Sequence, residues 1–373
     1  MVMAGWSTSA CSRTSKRLKC QSKKGGRKPP LFFWRTFLTS DRDISTDDLS
    51  QVARRRLAWT RFWGQGPLHS LGTSFAGNYA DAIGTFWQGE FAACRSHETI
   101  LDIGCGNGPL AKILIDLYPE EGPGWTGIDL SNPRPTWIAQ LAEAAAKRVR
   151  FRGGVLAEEL PFEASSFDLV VSQFGIEYSD LSRSQPEVMR VLKPTGRLAL
   201  VVHHAQSLPV YVSRQELRHL EFLSRSDFLE SARLMIPYFV LLNDIESRAR
   251  LKSDPQAIEA RRRFDAAQHE IRKRVTGEPI PDLLTDVQIF IQDCFRTAVS
   301  VGPPPALDRL SGYRVLLEDS RLRLEDLVRS ALDEAGILAL QERLKSAKGR
   351  GARSSLNALS VNDQVFGWAL RVS

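Results

Sequence analysis

The chain has 373 residues, of which 43% are hydrophobic and 25% are charged, a composition typical of a folded globular protein. Its apolar runs are shorter than the ~20 residues that a membrane-spanning helix needs, so we expect no membrane span. The cysteines at positions 11, 20, 94, 105 and 294 are dispersed and form no Cys-x-x-Cys pair. This pattern predicts a reducing, cytoplasmic location and no metal site.

The formal net charge of +7 is concentrated at the amino terminus. Residues 1–40 contain nine lysines and arginines and no acidic residue, which leaves the rest of the chain with a net charge of −2. Because the body is close to neutral, it lacks the basic face of a nucleic-acid enzyme, and we expect no nucleic-acid partner. The basic composition of residues 1–45 predicts a disordered tail. A targeting peptide and a nucleic-acid-binding arm are the alternatives.

Aromatic residues recur at spacings of three and four between residues 46 and 97. This is the period of a helix with one apolar face, and the segment predicts two helices joined by a Gly/Pro loop. One interpretation is that the rings cover an edge of the core. The alternative is that Tyr79 and Trp87 form a wall of a ligand pocket.

Short β-branched runs alternate with helical patterns over residues 98–205. Strands that are nearly all apolar and alternate with helices predict a parallel sheet covered on both faces. Residues 206–345 follow a helical period instead, and Ser213 and Glu216 are spaced as a capping box at the start of the first helix. Residues 346–373 contain two strand-like runs on either side of an Asn-Asp pair, which predicts an antiparallel hairpin.

The stretch LDIGCGNGPL runs from a strand through three alternating glycines into a helix. Such a turn brings backbone N–H groups close to a ligand, and a Cβ at Gly104, Gly106 or Gly108 would intrude on that approach. The spacing lacks the third glycine position of the dinucleotide fingerprint and the Lys-Ser/Thr pair of a P-loop. Asp129 ends the next strand, where a carboxylate can accept hydrogen bonds from a ribose diol.

Four stretches in order, LDIGCGNG, GIDLS, LPFEASSFDLVVSQ and EVMRVLKPTGRLALV, resemble the class I S-adenosylmethionine-dependent methyltransferases. The resemblance covers residues 100–204. It implies an α/β fold with a Rossmann-like seven-stranded sheet, mostly parallel, with the terminal antiparallel hairpin and a helical insertion. It also implies S-adenosyl-L-methionine as the cofactor.

The same resemblance implies roles for the residues that match the family's motifs. Asp102 and Gly104 would lie near the methionine moiety of the cofactor. Asp129 would hold the ribose hydroxyls, with Leu130 beside the adenine. Gln173 lies where the family meets cofactor or substrate.

Ala157 and Glu158 match an Ala-Glu pair that the family places near the cofactor. The Asp that usually precedes this pair is Leu156 here. The adenine would therefore be held by backbone groups and apolar packing, without a carboxylate that accepts from its amine.

Methyl transfer from a sulfonium depends mainly on alignment in a dry site, and a base helps when the nucleophile carries a proton. Glu177 and His204 are the candidate catalytic residues, since both follow strands at the carboxyl edge of the sheet. His203 and His204 alternate in direction, so we expect one to face the site and prefer His204. A structural role for both histidines is the alternative.

The sequence thus predicts methyl transfer to an oxygen or nitrogen nucleophile of a small-molecule acceptor. We expect the aromatic helices to enclose this acceptor and the helical insertion, residues 206–345, to form a lid over it. One alternative is an RNA or protein methyltransferase that uses the basic tail as an arm. Another is a non-catalytic protein that binds S-adenosylmethionine and a partner. The identity of the acceptor and the oligomeric state stay open.

Overall fold

The computed structural model describes residues 50–70 and 77–373, so the predicted basic tail, residues 1–45, lies outside the described residues. The chain divides into two compact units. The helical unit is Arg218–Leu317, and the sheet unit combines the described part of Arg42–Leu217 with Glu318–Ser373. No described helix has both the length and the apolar composition needed to cross a membrane.

Seven strands form one sheet in the sheet unit. They are β1 (Thr99–Ile103), β2 (Gly124–Asp129), β3 (Val149–Gly153), β4 (Phe167–Gln173), β5 (Leu192–His203), β6 (Ser354–Val361) and β7 (Gln364–Val372). Their order is β3-β2-β1-β4-β5-β7-β6, with parallel pairing from β3 to β5 and antiparallel pairing of β7 with both of its neighbours. The predicted seven-stranded, mostly parallel sheet is confirmed.

Helices cover both faces of this sheet. They are α2 (Asp81–Ala92), α3 (Pro109–Leu117), α4 (Glu143–Arg148), α5 (Leu181–Val191) and α12 (Glu334–Lys348), the last being the twelfth helix of the chain. Helix α1 (Gln51–Gly64) precedes them. Successive strand residues point to opposite faces, so Val201 packs in the core beside α2 and α3, and Val202 packs beside α5 and α12. The central strands are therefore buried on both sides, which explains their nearly continuous apolar sequence.

The terminal hairpin forms as predicted. Asn362 and Asp363 connect β6 to β7 with φ angles of 49° and 62°. Two central residues in the left-handed region are the mark of a type I′ turn, whose twist matches that of the paired strands. Asn and Asp tolerate this conformation better than most residues do. The hairpin places β7 against β5 and so completes the sheet.

The remaining helices lie in the chain between β5 and α12. They are α6 (Leu208–Arg225), α7 (Phe228–Phe239), α8 (Ile245–Leu251), α9 (Pro255–Gly277), α10 (Asp282–Ser300) and α11 (Pro303–Ser330). Within the helical unit, Phe264 and Phe295 meet edge to face at 5.2 Å, and Phe228 and Phe239 stack on them. These rings bring α7, α9 and α10 together around one aromatic core.

The capping box predicted at Ser213 was wrong. Helix α6 already begins at Leu208, and the Ser207 hydroxyl accepts a hydrogen bond from the Val210 N–H. Pro209 favours this earlier start, because proline is well suited to the first turn of a helix. Ser213 is therefore buried inside α6.

Helix α12 belongs to the sheet unit, although it falls largely within the residues 206–345 that the sequence assigned to a helical insertion. Ile337, Leu340 and Leu344 are fully buried against the sheet. The compact helical unit is accordingly shorter than the predicted insertion. The role of residues 206–345 as a lid stays a prediction.

Packing of α12 on the sheet can be tested by comparing two leucines of the same helix. Leu340 is fully buried, whereas Leu338 is 44% exposed. We expect Leu340→Ala to lower the free energy of unfolding by ~2–5 kcal/mol, the usual cost of a cavity in a core. Leu338→Ala should change it by less than ~0.5 kcal/mol. Urea unfolding of both variants measures the difference, and equal, small losses would contradict the packing described here.

Candidate functional site

The glycine loop between β1 and α3 is tightly packed against the end of β4. Gly104 has a φ of 71°, and a Cβ at this position would lie 2.7 Å from the Cα of Gly175. Real Cβ atoms essentially never come so close, so both the conformation and the space require glycine. The loop is also tied to β2, because the N–H groups of Gly104 and Cys105 donate to the Ile128 carbonyl at 2.9 and 3.0 Å.

Asp129, the predicted ribose-binding residue, organises this loop. One carboxylate oxygen accepts from the Gly106 N–H at 2.9 Å. The other accepts from the N–H and the hydroxyl of Ser131 at 2.8 and 2.6 Å. A carboxylate has about four acceptor positions, so three bonds leave capacity for one ligand hydroxyl. Asp129 is half-buried and therefore open to such a ligand.

Asp102 carries the clearest sign of a missing partner. Its side chain is 1% exposed, and among the described residues neither carboxylate oxygen has a hydrogen-bond partner. Burial raises the pKa of this carboxyl well above its usual range, and the charge of Asp129 raises it further. An unpaired buried carboxylate is costly, so its retention points to a ligand that supplies the partner.

A pocket opens in front of Asp102 and Gly104. Its empty volume is about 350 Å³, part of which is open to solvent. Four of the eleven lining residues are aromatic, and Gln173 is a further polar group. The aromatic lining residues are Trp59, Trp63, Tyr79 and Phe174.

Tyr79 therefore does form part of a pocket wall, as the second interpretation of the aromatic helices predicted. Trp87 lies instead in the core between α2 and the sheet, where it is fully buried. Its indole N–H donates to the side-chain oxygen of Gln173. Trp87 thus fixes the orientation of a pocket residue without lining the pocket itself.

Glu177 lies in a 3₁₀ turn, Ile176–Tyr178, just after β4. One carboxylate oxygen accepts from the backbone N–H of His203 at 3.0 Å. The other is buried and has no partner within the described part of the chain. Burial raises the pKa of Glu177 to about 8, although backbone hydrogen bonds partly offset the effect.

The two histidines at the end of β5 point to opposite faces of the sheet. His203 is buried and stacks on the pocket residue Phe174, with ring centroids 4.1 Å apart, and burial lowers its pKa to about 3. His204 stacks on Trp368 at 4.4 Å, and its Nδ1 accepts from the Gln206 N–H. His204, the histidine preferred from the sequence, is not among the residues that line the pocket.

Glu177 and six predicted cofactor residues also lie outside the pocket lining; the six are Gly106, Gly108, Asp129, Leu130, Ala157 and Glu158. The Glu158 carboxylate accepts from the backbone N–H of Asp180 at 2.8 Å, and Ala157 packs against the core. Leu130 is half-buried after β2. At Gly108 a Cβ would meet the ring of Phe151 at 2.5 Å, so this glycine serves packing within the protein.

Sequence reasoning missed Asn107, which joins the glycine loop to its surroundings. Its amide donates to the carbonyls of Trp63 and Pro67 at 2.9 and 2.8 Å, and its side-chain oxygen accepts from the Arg134 N–H. Its position between two loop glycines was the available signal. Trp59 and Trp63 were recognised only as one apolar helix face, since helical spacing does not reveal what that face contacts.

Residues 100–196 match the protein family described as "Methyltransferase domain". The match spans β1 to β4 and the start of β5, and so includes the glycine loop, Asp129 and Glu177. These residues form a class I S-adenosylmethionine-dependent methyltransferase domain.

Two relatives share the methyltransferase domain. The chain is 36% identical over 121 residues to the uncharacterized methyltransferase YcgJ of Bacillus subtilis, which covers 32% of this chain and 46% of that protein. It is 36% identical over 124 residues to the demethylmenaquinone methyltransferase of Lactococcus lactis, covering 32% and 47%. The chain therefore spans less than half the length of either relative.

The solved structure of Bacillus subtilis YcgJ also matches. It has 32% identity and a TM-score of 0.28, and it covers 38% of this chain and 57% of that one.

The glycine loop provides a test of cofactor binding by the methyltransferase domain. A Cβ at Gly106 would lie 2.6 Å from the Trp63 ring, and the φ of 49° is strained for alanine. We expect Gly106→Ala to reduce the rise in melting temperature that S-adenosylhomocysteine, the cofactor product, gives by binding the folded state. Gly124→Ala is the matched control, because its new Cβ would meet no atom within 4 Å. Equal ligand shifts in both variants would contradict the placement.

Proposed function

We propose that this protein transfers a methyl group from S-adenosylmethionine to an oxygen or nitrogen atom of a small-molecule acceptor. The observation that carries the proposal is the buried Asp102, which faces the pocket without a hydrogen-bond partner in the described ranges 50–70 and 77–373. A buried carboxylate is stabilised by a cationic hydrogen-bond donor, and Asp102 has none among the described residues. The ammonium group at the methionine end of the cofactor is such a donor.

The residues present fit this cofactor. Gly104 and Gly106 keep the loop free of side chains, Asp129 has acceptor capacity for a ribose hydroxyl, and Asp102 can hold an ammonium group. S-adenosylmethionine, when bound, supplies a methyl group already activated by its positively charged sulfur. The protein's own task is to align the acceptor and to exclude water, for which an aromatic pocket wall is well suited.

We assign the role of general base to Glu177 in preference to His204. One oxygen of Glu177 is held by the His203 N–H, so the carboxylate has a fixed orientation, while the second oxygen keeps its lone pairs. A base works best when its pKa lies near the working pH, and a value of about 8 meets that condition. His204 is engaged by Trp368 and Gln206 on the other face. We therefore give His204 a structural role.

A small organic acceptor is supported by the pocket and by one relative. The pocket wall combines aromatic rings with a few polar groups, as sites for small molecules generally do. The Lactococcus lactis relative is named for demethylmenaquinone, a compound of this general kind. The alternatives are methyl transfer to RNA or protein, and binding of S-adenosylmethionine without catalysis. A labelling experiment distinguishes them.

Activity should depend on Glu177 and not on His204. We expect Glu177→Gln to lower kcat by ~10²–10⁴-fold while the affinity for S-adenosylhomocysteine changes little, since Gln keeps the shape and loses the base. His204→Ala should remain close to wild type. Transfer of label from the cofactor into a whole cell extract measures both, and the small-molecule fraction separated afterwards by ultrafiltration should carry the label.

The pH profile gives an independent check. The base must be deprotonated, so the wild-type rate should rise with pH until it levels off above about 8. Tyr79 and Tyr178 lie near Glu177, but burial raises the pKa of both phenols above its usual value, so neither should titrate in this range. Loss of activity in His204→Ala with a normal rate in Glu177→Gln would refute the assignment. Label in RNA or protein would refute the small-molecule acceptor.

The burial of Glu177, which raises its pKa towards the value that suits a base, should also lower the stability of the folded protein. The pKa of Glu177 is higher in the folded state, about 8, than in the unfolded state, about 4.5. Folding is therefore opposed as the pH rises from the lower value to the higher one, by up to ~5 kcal/mol. Glu177→Gln removes this cost and keeps the oxygen that accepts from His203. Urea unfolding should show the variant gaining stability over wild type at pH 9 relative to pH 5; an identical difference at both would contradict the burial effect.

A further inference from the structure

Helix α1 covers the glycine loop. The ring of Trp63, 8% exposed, lies against Gly106, where an added Cβ would be 2.6 Å from it. Trp59 stacks on Trp63 with ring centroids 6.0 Å apart, and both rings line the pocket. The Asn107 amide donates to the Trp63 carbonyl, so the end of α1 is also hydrogen-bonded to the loop.

Two ion pairs hold α1 to the part of α11 that belongs to the sheet unit. Arg61 donates to both carboxylate oxygens of Asp319 at 2.9 and 3.0 Å. Arg55 pairs with Asp326 at 2.9 Å. The two aspartate side chains are only 9% and 6% exposed, so these pairs differ from the exposed ion pairs on other helices. Truncating one partner of a buried pair leaves an uncompensated charge.

Arg323 adds a third contact between the same two helices. Its guanidinium lies over the Phe62 ring, 4.2 Å from the centroid, in a cation–π arrangement. Burial lowers the pKa of Arg323 to about 10, although the nearby carboxylates of Asp319 and Glu216 raise it. The contact is thus charged at neutral pH and remains attractive to the ring.

Helix α1 buries few apolar side chains. Of its fourteen residues, only Ala58, Phe62 and Trp63 are buried. Polar and ring contacts to α11 and to the loop therefore supply much of what holds it in place. An element held by a few specific contacts opens more easily than one with a broad apolar face.

We propose that α1 is a lid on the cofactor loop, that Trp63 is its contact with the bound cofactor, and that the ion pairs to α11 control how often it opens. The inference rests on the proposed function, because the ligand of the loop is the cofactor assigned there. Since Trp63 lies against the backbone that this ligand must approach, entry requires α1 to move away. Arg61, Asp319 and Arg323 are positioning residues that act through Trp63.

We call the ion pairs Arg61–Asp319 and Arg55–Asp326 the latch, and weakening it tests the proposal in ligand-free protein. We expect Asp319→Asn and Arg61→Gln to speed hydrogen–deuterium exchange of the α1 amides by roughly tenfold or more, with exchange elsewhere unchanged. The control is Glu143→Gln, which removes an exposed pair with Lys147 on α4. The reversed pair, Arg61→Asp with Asp319→Arg, should restore slow exchange at least in part.

Stopped-flow binding of S-adenosylhomocysteine gives the second readout. Latch variants should bind faster, because the open state is more populated, and Trp63→Ala should release the ligand faster by removing the ring contact. Wild-type exchange and binding rates in every variant would overturn the lid and leave the proposed function intact. If the wild type binds no S-adenosylhomocysteine, the proposed function fails, and unchanged α1 exchange would overturn the latch separately.

Discussion

The site depends on a contact between two backbones, that of Gly104 after β1 and that of Gly175 after β4. A side chain at either glycine would collide with the other segment. The Ser172 hydroxyl supports the contact by donating to the Ile103 carbonyl and accepting from the Ile176 N–H. Because the two strand ends meet so closely, Asp102 and Gln173 come to line the same pocket. Residues distant in sequence thereby form one pocket at the carboxyl edge of the sheet, where α/β folds bind their ligands.

Two buried carboxylates at this edge lack a full set of partners among the described residues, and both are costly in the protein by itself. Asp102 would gain a partner from a cationic ligand. Glu177 would keep its second oxygen for a proton. The structure therefore loses stability at the positions where the proposed chemistry needs charge, a trade that is common at active sites. The site also depends on the second half of the chain. Helix α1 contacts the glycine loop through Trp63, and its Arg61 is paired with Asp319 in α11.

Much of this could be predicted from the sequence because it is encoded locally. The loop glycines, the apolar strands and the alternation of strands with helices each occupy a short window, and together they predicted the sheet and the loop. Asn362 and Asp363 predicted the hairpin for the same reason, since few residues tolerate the conformation that its turn requires. The start of α6 was missed because two overlapping signals, at Ser207 and Ser213, compete within one short segment.

The sequence by itself determined the fold class and the position of the glycine loop. It also placed the Asp129 carboxylate at the end of β2 and indicated that His203 and His204 point in opposite directions. Only the tertiary structure decided which histidine packs on the pocket residue Phe174, because shifting a strand by one residue exchanges its faces without changing its pattern. It also decided that α12 packs on the sheet, although its helical period resembles that of the helices before it. Trp63 shows the same limit: its spacing fixed the apolar face of α1, but Gly106 lies more than forty residues later, and only folding brings an indole ring onto that backbone.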